Sequence, residues 1–560
     1  MSLTGANLPL IGRVSRVQLG KLGAVGEIPS VMRELVETGL VHPVRPDKLA
    51  RIAREFLRWG TSPATAVAAA TIERPDAIAI VDELGELTFR DLHERSNGLA
   101  RALRSDGVAA GDGIAIMCRN HRGFVDATLA AAKIGASVLY MNTGFAAPQF
   151  RDVVEREQPS VLIYDEEFAK VLEPARKAGG RGLRCFLGWR ESTDAESPDR
   201  AIQDLIDEGD PADVDSPESE PRFIILTSGT TGAPKGAQRS APGTLAPVTA
   251  MLSKLGLRAR EITVIAAPLF HSWGFSHLLM AQALGSTVVV RRKFDPERTL
   301  EMVAERRATT LAVVPVMMQR ILELPEETLR KYDLSSLRVT AVSGSALPGE
   351  LATRWMDLFG DNIYNLYGST EVAYATIAGP EDLRAAPGTA GRPPRGSVVR
   401  ILDDDGHELP PGETGRIFVG NEFQFEGYTG GESKEVLDGL MSSGDVGHFD
   451  EEGRLFIDGR DDEMIVSGGE NVFPAEVEDL LAAHEEITEV AVFGVEDEKF
   501  GQRLKAVIVT KKGKTLTEKE VKAHVKSNLA GYKVPRDVDF MDELPRTSTG
   551  KVLKRELRDD

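Results

Sequence analysis

Short runs of apolar, mostly β-branched residues alternate along this chain with segments of helical spacing. The clearest runs are residues 77–81, 114–117, 161–164, 287–290 and 310–314. Runs that are apolar at every position are typical of parallel strands whose two faces are both covered by helices. The alternation therefore predicts an α/β fold with parallel sheets. At 560 residues, the chain is long enough for several domains.

Two segments between these runs carry local signals. A helix is predicted from Leu92 to Leu103, because Thr88 and Asp91 form a start signal just before it. The stretch from residue 191 to residue 220 is rich in Ser, Asp, Glu and Pro. This composition predicts a surface connection.

The pattern changes toward the C-terminus. From Gly391 onward, short strands and turn signals predict a β-rich subdomain with hairpins. After Gly459 the order helix, strand, strand, helix predicts a small α+β domain. We therefore expect an N-terminal helical extension over residues 1–70, a large domain over residues 71–460 and a small domain over residues 461–560.

The composition argues against several classes of protein. Lys and Arg number 67 against 86 Asp and Glu, and the net charge of −19 argues against nucleic acid as a partner. Cys118 and Cys185 lie in hydrophobic stretches without zinc-ligand spacing, which indicates a reducing compartment. No stretch approaches about 18 uncharged apolar residues and no secretory signal is apparent. We therefore expect a cytoplasmic protein without a membrane-spanning helix.

A basic amphipathic helix is predicted from Asp47 to Trp59. We expect its apolar face to pack on its own domain. Peripheral attachment to a membrane surface stays open as the alternative. The apolar face consists of Leu49, Ile52, Phe56 and Trp59, and the basic residues elsewhere are Lys48, Arg51, Arg54 and Arg58.

The most informative segment is residues 226–236, which read Leu-Thr-Ser-Gly-Thr-Thr-Gly-Ala-Pro-Lys-Gly after a strand-like run. Its glycines allow backbone N–H groups to turn toward an anion, while the hydroxyls and the lysine add donors and charge. A phosphate loop for a nucleotide is therefore predicted, although it lacks the Gly-Lys-Ser/Thr ending of a P-loop. Its candidate binding residues are Thr227, Ser228, Gly229, Thr230, Thr231, Gly232 and Lys235.

Further motifs follow this loop along the chain. They are Pro-Leu-Phe-His-Ser-Trp-Gly from residue 268, Ser-Gly-Ser-Ala-Leu-Pro from 343, Tyr-Asn-Leu-Tyr-Gly-Ser-Thr-Glu from 364, Ser-Gly-Asp-Val-Gly from 443, Gly-Arg-Asp-Asp-Glu-Met-Ile from 459, Ser-Gly-Gly-Glu-Asn-Val-Phe-Pro from 467 and Pro-Arg-Thr-Ser-Thr-Gly-Lys from 545. With these motifs the chain resembles the adenylate-forming, acyl-activating enzymes, and among them the fatty-acyl-CoA synthetases. The resemblance implies that residues 71–460 form the AMP-binding domain and that the small domain over residues 461–560 is mobile.

The adenylation chemistry is assigned to three residues by this resemblance. Joining a carboxylate to the α-phosphate of ATP brings two anions together, so catalysis must rest on charge compensation and positioning. Lys551 is implied as the lysine of this step, and Glu371 as the hard-oxygen ligand of Mg²⁺. Thr230 of the phosphate loop is the third implied catalytic residue.

The rest of the nucleotide site is implied in the same way. Tyr367 offers a flat ring to adenine, and Asp445 can accept two hydrogen bonds from the ribose hydroxyls. Arg460 resembles an arginine that faces the nucleotide. The other implied ATP- and AMP-binding residues are Gly344, Ser345, Ala346, Gly368, Ser369 and Thr370.

A second step, attack by a thiol, needs other groups at the same place. By resemblance Asp462 is the hinge at which the small domain rotates, exchanging Lys551 for a loop that serves the thioester step. Glycines in that loop would let the backbone approach a narrow pantetheine arm. The loop residues are Ser467, Gly468 and Gly469.

The acyl pocket implied by the resemblance is lined by His271, Gly274, Val314, Gly344 and Ala346. The small or apolar side chains among them favour an apolar acyl group and disfavour a free amino acid, whose ammonium would need a buried carboxylate. Residues 237–242 depart from the family pattern, because many relatives carry a motif there that ends in histidine. We expect a contact near the pocket to differ accordingly.

These roles predict an acid:CoA ligase. It would use ATP and Mg²⁺ to convert a hydrophobic carboxylic acid, medium- or long-chain or bulky, to acyl-AMP and pyrophosphate, and then transfer the acyl group to coenzyme A. The alternative is an acyl-AMP ligase that loads a carrier protein in trans. A luciferase-type oxygenase, a non-catalytic nucleotide sensor or lipid-binding scaffold, and a P-loop phosphotransferase are weaker hypotheses. The expected partners are the acid, ATP and CoA, and a homodimer stays open.

Overall fold

The computed structural model of the chain describes residues 31–178, 180–191, 198–217, 219, 221–228, 234–238, 246–403, 405–423, 427–429, 431, 433–460, 465–467, 470–472, 474–482, 484–497, 499–545, 554 and 557.

Two sheets organise the large N-terminal part of the molecule. Each of the five apolar runs named from the sequence forms one of their strands. The strands are β1 (Ile78–Asp82), β2 (Gly85–Thr88), β3 (Gly113–Met117), β4 (Ser137–Tyr140), β5 (Val161–Asp165), β6 (Arg184–Trp189), β7 (Phe223–Ser228), β8 (Pro234–Gln238), β9 (Ile262–Ile265), β10 (Thr287–Val290), β11 (Thr310–Val313), β12 (Val339–Val342), β13 (Ile363–Tyr367) and β14 (Thr376–Ala378).

Both sheets are parallel in their centres and antiparallel only at their edges. The first has the order β14-β13-β12-β11-β9-β10-β1-β2, and the strands from β13 to β1 in this order run parallel. The second has the order β17-β8-β7-β4-β3-β5-β6, with β17 at Gly427–Tyr428 and parallel pairing from β7 to β6. The predicted α/β architecture with parallel sheets is confirmed.

Helices cover the faces of these sheets. Helix α4 begins with the capping box between Thr88 and Asp91, as its sequence predicts. Helix α5 is buried on nearly all sides, at the centre of the largest apolar core. The helices of this part are α1 (residues 31–37), α2 (Pro46–Trp59), α3 (Pro63–Glu73), α4 (Phe89–Ser105), α5 (Arg122–Ile134), α6 (Ala147–Glu157), α7 (Ala169–Ala178), α8 (Ile202–Glu208), α9 (Ala246–Lys254), α10 (Ser272–Ala283), α11 (Pro296–Arg306), α12 (Pro315–Leu322), α13 (Glu326–Lys331), α14 (Gly349–Phe359) and α15 (Pro380–Ala385).

The segment predicted as a surface connection is partly built into the core. Helix α8 buries Ile202, Leu205 and Ile206 in the same apolar cluster as α5. The carbonyl of Pro211 accepts a hydrogen bond of 2.9 Å from Asn97 Nδ2. The prediction was therefore wrong for this portion, because three apolar residues at helical spacing outweigh the surrounding acidic composition.

The orientation of α2 also differs from the prediction. Trp59 is buried as expected, but Leu49 and Phe56 of the same predicted face are exposed. The inward face is set instead by Glu55, which pairs with Arg58 at 2.8 Å while the Arg58 guanidinium lies over the Trp59 ring. In the part of the chain that the structure describes, no helix is long and apolar enough to cross a membrane.

A β-rich subdomain follows, as predicted. It contains an antiparallel sheet in the order β15-β16-β19-β18, with β20 paired to β19. Its strands are β15 (Val398–Leu402), β16 (Gly415–Gly420), β18 (Val436–Leu437), β19 (Leu440–Phe449) and β20 (Leu455–Arg460).

The small C-terminal part has its own sheet and core, which confirms the predicted α+β domain. Its sheet has the order β22-β21-β24-β23, and β25 pairs parallel to β24. Val477 of α16 and Val521 of α17 belong to its apolar core. The elements are β21 (Ile465–Ser467), β22 (Glu470–Val472), α16 (Pro474–Ala482), β23 (Ile487–Asp497), β24 (Gly501–Thr510), α17 (Glu518–Asn528) and β25 (Asp537–Phe540).

Short 3₁₀ turns lie in both parts of the molecule, at Glu166–Phe168 and Gly180–Gly182 in the large part and at Gly531–Lys533 in the small one.

Candidate functional site

The predicted site residues gather at one edge of the first sheet. Strands β9, β11, β12 and β13 are neighbours and run parallel, so their carboxyl ends lie side by side. In open α/β sheets, ligands bind outside these ends. The residues that follow them are His271 after β9, Val314 after β11, Gly344, Ser345 and Ala346 after β12, and Gly368, Ser369, Thr370 and Glu371 after β13.

Tyr367 and Asp445 form the best-defined contact of the predicted nucleotide site. The Tyr367 hydroxyl donates to Asp445 Oδ2 at 2.6 Å and lies 3.2 Å from Ser443 Oγ. Asp445 is buried on β19, and its backbone pairs across the strands with Arg460 of β20. The structure thus brings an aromatic ring beside a carboxylate that can accept hydrogen bonds. The side chain of Arg460 lies outside the described part of the chain.

Glu371 presents a carboxylate surrounded by hydroxyl groups. Tyr428 donates to Oε1 at 2.7 Å, and Ser369 donates to Oε2 at 2.9 Å. A neighbouring contact joins Ser272 Oγ and Thr370 Oγ1 at 3.4 Å. Oxygen ligands of this kind, with one carboxylate, fit Mg²⁺ held together with substrate phosphates.

The predicted phosphate loop connects β7 to β8. Thr227 pairs with Lys235 and Ser228 with Pro234 in this antiparallel hairpin, so the backbone returns close to its starting point. The side chains of Thr227, Ser228 and Lys235 are not described. Gly229, Thr230, Thr231 and Gly232 lie outside the described residues.

The predicted acyl-pocket residues fall into two groups. Gly344 has φ +96°, and a Cβ built on it would lie 3.3 Å from Val314 Cγ1, so these two residues are neighbours. Ala346 follows on the same loop and is exposed. A Cβ on Gly274, in contrast, would lie 2.2 Å from the carbonyl oxygen of Pro268. Close packing against Pro268 therefore explains why residue 274 is a glycine. Its role as a pocket wall stays a prediction.

The small domain reaches this edge through Glu470. Its Oε1 lies 3.1 Å from His271 Nε2, and its Oε2 lies 3.4 Å from Asn142 Nδ2. Burial opposes ionisation of Glu470, but the nearby His271, Asn142 and Lys533 outweigh it, so the pKa of Glu470 lies below its ordinary value. A carboxylate of the small domain is thus held against the large domain.

Further contacts fix the same arrangement of the two domains. Gly144 lies against the Tyr532 ring, because a Cβ on Gly144 would be 3.3 Å from Tyr532 Cε1. Lys499 Nζ lies 3.7 Å from Glu323 Oε2, and helix α17 packs against α6. Hairpin β21–β22, with Ser467 opposite Glu470, therefore faces the carboxyl edge of the first sheet.

A cavity of about 150 Å³ lies beside this hairpin. The Arg536 guanidinium lies 3.9 Å from the centre of the Phe500 ring in its wall. Polar and aromatic groups are mixed in its lining. The lining residues are Ser467, Glu470, Phe500, Leu504, Gly531, Tyr532, Val534 and Arg536.

Some site residues were missed from the sequence, and others cannot be placed. Glu470 stands in the Ser-Gly-Gly-Glu motif, so its position there was the available signal. Asn142 and Tyr428 lie in no motif that was singled out, and only the fold brings them to the site. Lys551, Asp462, Gly468 and Gly469 lie outside the described residues.

Two curated relatives align with nearly the whole of their own lengths. A feruloyl-CoA synthase from Amycolatopsis sp is 35% identical over 86% of this chain and 96% of its own. A methyl-dioxo-octahydroindenyl-propanoyl:CoA ligase from Rhodococcus jostii (strain RHA1) is 33% identical over 92% of this chain and 98% of its own.

Solved structures agree with the fold to different degrees. Amide bond synthetase McbA from Marinactinospora thermotolerans superposes with a TM-score of 0.79 at 26% identity, over 89% of this chain and 99% of its own. A double mutant of o-succinylbenzoate CoA synthetase from Bacillus subtilis, bound with its product analogue OSB-NCoA, gives 0.76 at 27% identity, over 88% and 98%. The same synthetase in complex with the acyl-adenylate intermediate OSB-AMP gives 0.62, at the same identity and coverage.

Family comparison covers both parts of the chain. Residues 67–429 match the family described as AMP-binding enzyme, and residues 476–551 match the AMP-binding enzyme C-terminal domain. The first match alone spans more than half of the chain, and it contains the strand-end loops at which the predicted site residues gather. The chain therefore belongs to the AMP-binding enzyme family, the adenylate-forming enzymes that its sequence motifs resemble.

Proposed function

We propose that the chain is an ATP-dependent acyl-CoA synthetase that acts on a hydrophobic carboxylic acid. It joins the acid to AMP with release of pyrophosphate, and then transfers the acyl group to the thiol of coenzyme A. The observation that carries this proposal is the contact between His271 and Glu470, where the predicted acyl site meets the loop assigned to the thioester step.

The first step is an attack by a carboxylate oxygen of the acid on the α-phosphorus of ATP, with pyrophosphate as the leaving group. Tyr367 and Asp445 hold the nucleoside in this proposal, because their ring and carboxylate lie together beside the strand-end loops. Glu371 would hold Mg²⁺, which when bound offsets the charge of the phosphates. Lys551 and Thr230 complete this step by family resemblance.

The second step is an attack by the thiol on the acyl carbon, with AMP as the leaving group. We assign the observed domain arrangement to this step, because the hairpin with Ser467 and Glu470 faces the site. The o-succinylbenzoate CoA synthetase comparison supports the assignment, since the complex with a CoA product analogue fits better than the adenylate complex. Rotation at Asp462 would return Lys551 to the site for the next adenylation.

The proposed domain division follows from the same account. Residues 1–70 form the extension, residues 71–460 the AMP-binding domain and residues 461–560 the mobile domain. Separate apolar cores on the two sides of residue 460 support the second boundary.

A hydrophobic acid is proposed from the pocket side of the site. Val314 and Gly344 are neighbours, and Trp273 is fixed beside them by the hydrogen bond of its indole N–H to the Val313 carbonyl at 3.0 Å. Small and apolar walls of this kind suit an apolar acyl group, since a charged acid tail would lose its hydration there. The names of the two relatives contain an aromatic and a bicyclic acyl group, which agrees with a bulky acid.

Free CoA is preferred over a carrier protein as the acceptor. The cavity beside Glu470 offers a route for a narrow thiol arm, and Arg536 at its wall supplies a cation for a phosphate of CoA. A carrier-protein ligase would share the first step and differ only in the acceptor.

Mass spectrometry of the products tests the proposal. The purified chain is incubated with ATP, Mg²⁺, CoA and a mixed panel of fatty, aromatic and polycyclic acids, and AMP and each acyl-CoA are measured. A dominant hydrophobic acyl-CoA together with AMP is expected. Accumulation of acyl-AMP alone would transfer the second step to a carrier protein, and formation of ADP would contradict the proposal altogether.

A further inference from the structure

Exposed apolar side chains are concentrated in the N-terminal extension. Among the described residues, several large apolar side chains between residues 32 and 57 are exposed, whereas those in the rest of the chain are isolated. The N-terminal set is Met32, Val36, Val41, Leu49, Phe56 and Leu57, and the others are Leu84, Val398, Val436 and Phe540.

Helix α2 carries the densest part of this surface. Leu49, Phe56 and Leu57 are 57%, 49% and 87% exposed, and Ala53 between them is also exposed. Their spacing of four, seven and eight residues from Leu49 places them on one face of a helix. We call these four residues the α2 stripe. It is an apolar helix face that points away from the protein.

The opposite face of α2 explains this orientation. Trp59 is buried there, Glu55 is buried and paired with Arg58, and Lys48 donates to the carbonyl of Glu73 at 2.7 Å. Arg58 also donates to the carbonyl of Val214. Because these polar contacts anchor the inward face, the α2 stripe is held outward by the fold.

The segment that carries the α2 stripe is rich in basic residues, in a chain that is acidic overall. Residues 45–58 contain five basic and two acidic residues, against a net charge of −19 for the whole chain. Arg51 and Arg54 are exposed and make no ion pair with any described residue. Helical spacing places Arg54 near Leu57 at the border of the α2 stripe, and Arg51 on the opposite face. An apolar helix face combined with exposed basic residues on the polar face is the pattern of a helix that lies in a membrane interface.

We propose that α2 docks this enzyme on an anionic lipid bilayer. The α2 stripe enters the boundary between headgroups and acyl chains, while Arg54 at its border contacts lipid phosphates and Arg51 adds to the positive charge that attracts the anionic surface. Charge favours an anionic bilayer over two other occupants of the α2 stripe, which are residues 1–30 and a second copy of the chain. Residues 1–30 carry Arg13, Arg16 and Lys21 against one acidic residue, and a second copy would bring basic residues against basic residues.

The proposal goes beyond the ligase reaction and does not depend on it. Where the acid is hydrophobic, docking would place the enzyme at the surface into which that acid partitions.

Vesicle sedimentation with the full-length chain tests the docking. Vesicles of phosphatidylcholine alone are compared with vesicles that also contain phosphatidylglycerol, at two salt concentrations. We expect binding to the anionic vesicles that weakens as salt is raised. The combined Leu49→Ser, Phe56→Ser and Leu57→Ser variant should bind at least about tenfold more weakly, because about three apolar contacts are lost. Arg54→Gln should lower binding about fivefold, and Arg51→Gln, on the opposite face of the helix, should lower it less.

Matched controls separate docking from other effects. Leu84→Ser, Val398→Ser and Phe540→Ser alter exposed apolar residues elsewhere and should leave vesicle binding unchanged. All variants should keep wild-type activity on a water-soluble acid, because none of these residues lies in the proposed site.

Three results would overturn the proposal. The first is no binding of the wild type to anionic vesicles, and the second is equal binding by the stripe variant. The third is a stripe variant that fails to bind and also melts at a lower temperature or changes its sedimentation coefficient. That result would show that residues 1–30 or a second copy covers the stripe.

Discussion

His271 Nε2 lies 3.1 Å from Glu470 Oε1, which joins the large domain to the small one at the proposed acyl site. The two residues are 199 positions apart in sequence, so only the docking of the domains brings them together. Because Asn142 also contacts Glu470, the carboxylate is held from two sides. Substitution of Glu470 can therefore test whether this contact serves the second half-reaction.

Glu470→Gln should impair thioester formation and spare adenylation. The substitution keeps the shape of the side chain but removes the charge that pairs with His271. A hydrogen bond to a charged group contributes about 1.5–3 kcal/mol, so the rate from supplied acyl-AMP and CoA should fall about tenfold to a hundredfold. Rapid-quench measurement of acyl-CoA formation checks this.

Glu485→Gln is the matched control for this change. It alters an exposed glutamate of the same domain and should leave both half-reactions as they are. If Glu470→Gln slows adenylation as much as thioester formation, the contact between His271 and Glu470 is not specific to thioester formation.

Asp445→Asn should weaken the binding of ATP. Tyr367 donates to Asp445 at 2.6 Å, and the carboxylate is proposed to hold the ribose hydroxyls. Loss of its charge should raise the KM for ATP about tenfold to a hundredfold with a smaller effect on kcat. Steady-state AMP formation at varied ATP checks this, with Asp405→Asn in an exposed turn as control. An unchanged KM would remove Asp445 from the nucleotide site.

Gly274→Ala should destabilise the protein and leave its preference among acids unchanged. A Cβ at this position would lie 2.2 Å from the Pro268 carbonyl oxygen, so α10 or the preceding turn must shift. Overpacking of this kind costs about 1–3 kcal/mol, which should appear as a lower melting temperature. Val314→Leu, beside Gly344, should instead change the relative rates for acids of different bulk. An altered acid preference with an unchanged melting temperature in Gly274→Ala would place this residue in the pocket wall.

Lys133 should make stability rise with pH above neutrality. It is fully buried on α5 and donates to Ser96 Oγ and Asn97 Oδ1, each at 2.7 Å. Burial lowers the pKa of Lys133 to about 7 from its ordinary 10.5. Between these values the unfolded chain holds a proton that the folded chain lacks, so folding releases a proton and is favoured as pH rises.

Urea unfolding of the wild type and of Lys133→Met at several pH values checks the direction of this pH dependence. The free energy of unfolding of the wild type, relative to the variant, should increase by about 1.4 kcal/mol per pH unit between about pH 7 and pH 10. Below pH 7 the difference should be constant. A difference that stays flat across pH 7–10 would contradict the buried titration.

How well the sequence predicts a feature of this molecule depends on how far apart in the sequence the interacting residues lie. The run 114–117 and the Thr88–Asp91 capping box are local signals, and both appear as predicted. The helix α8 was missed because acidic composition masks its three apolar residues. The prediction that Leu49 and Phe56 face inward was wrong, since amphipathic spacing alone does not say which face the anchoring contacts of Trp59 will bury.

In the site, too, local features are predictable from the sequence and contacts between distant residues are not. Motif residues after β12 and β13 are brought to one sheet edge because parallel strands align their carboxyl ends. The contacts of Glu470 with His271 and Asn142 could not be predicted, since they depend on how two separately folded domains dock.

The most direct test of the two-step account compares Lys551→Ala with Glu470→Gln in both half-reactions. Single-turnover rapid quench measures acyl-AMP formed from acid and ATP, and acyl-CoA formed from supplied acyl-AMP and CoA. Lys551→Ala should slow the first by about a hundredfold to a thousandfold and spare the second, whereas Glu470→Gln should spare the first and slow the second by about tenfold to a hundredfold. Loss of the same half-reaction in both variants would contradict the claim that two domain arrangements serve two chemical steps.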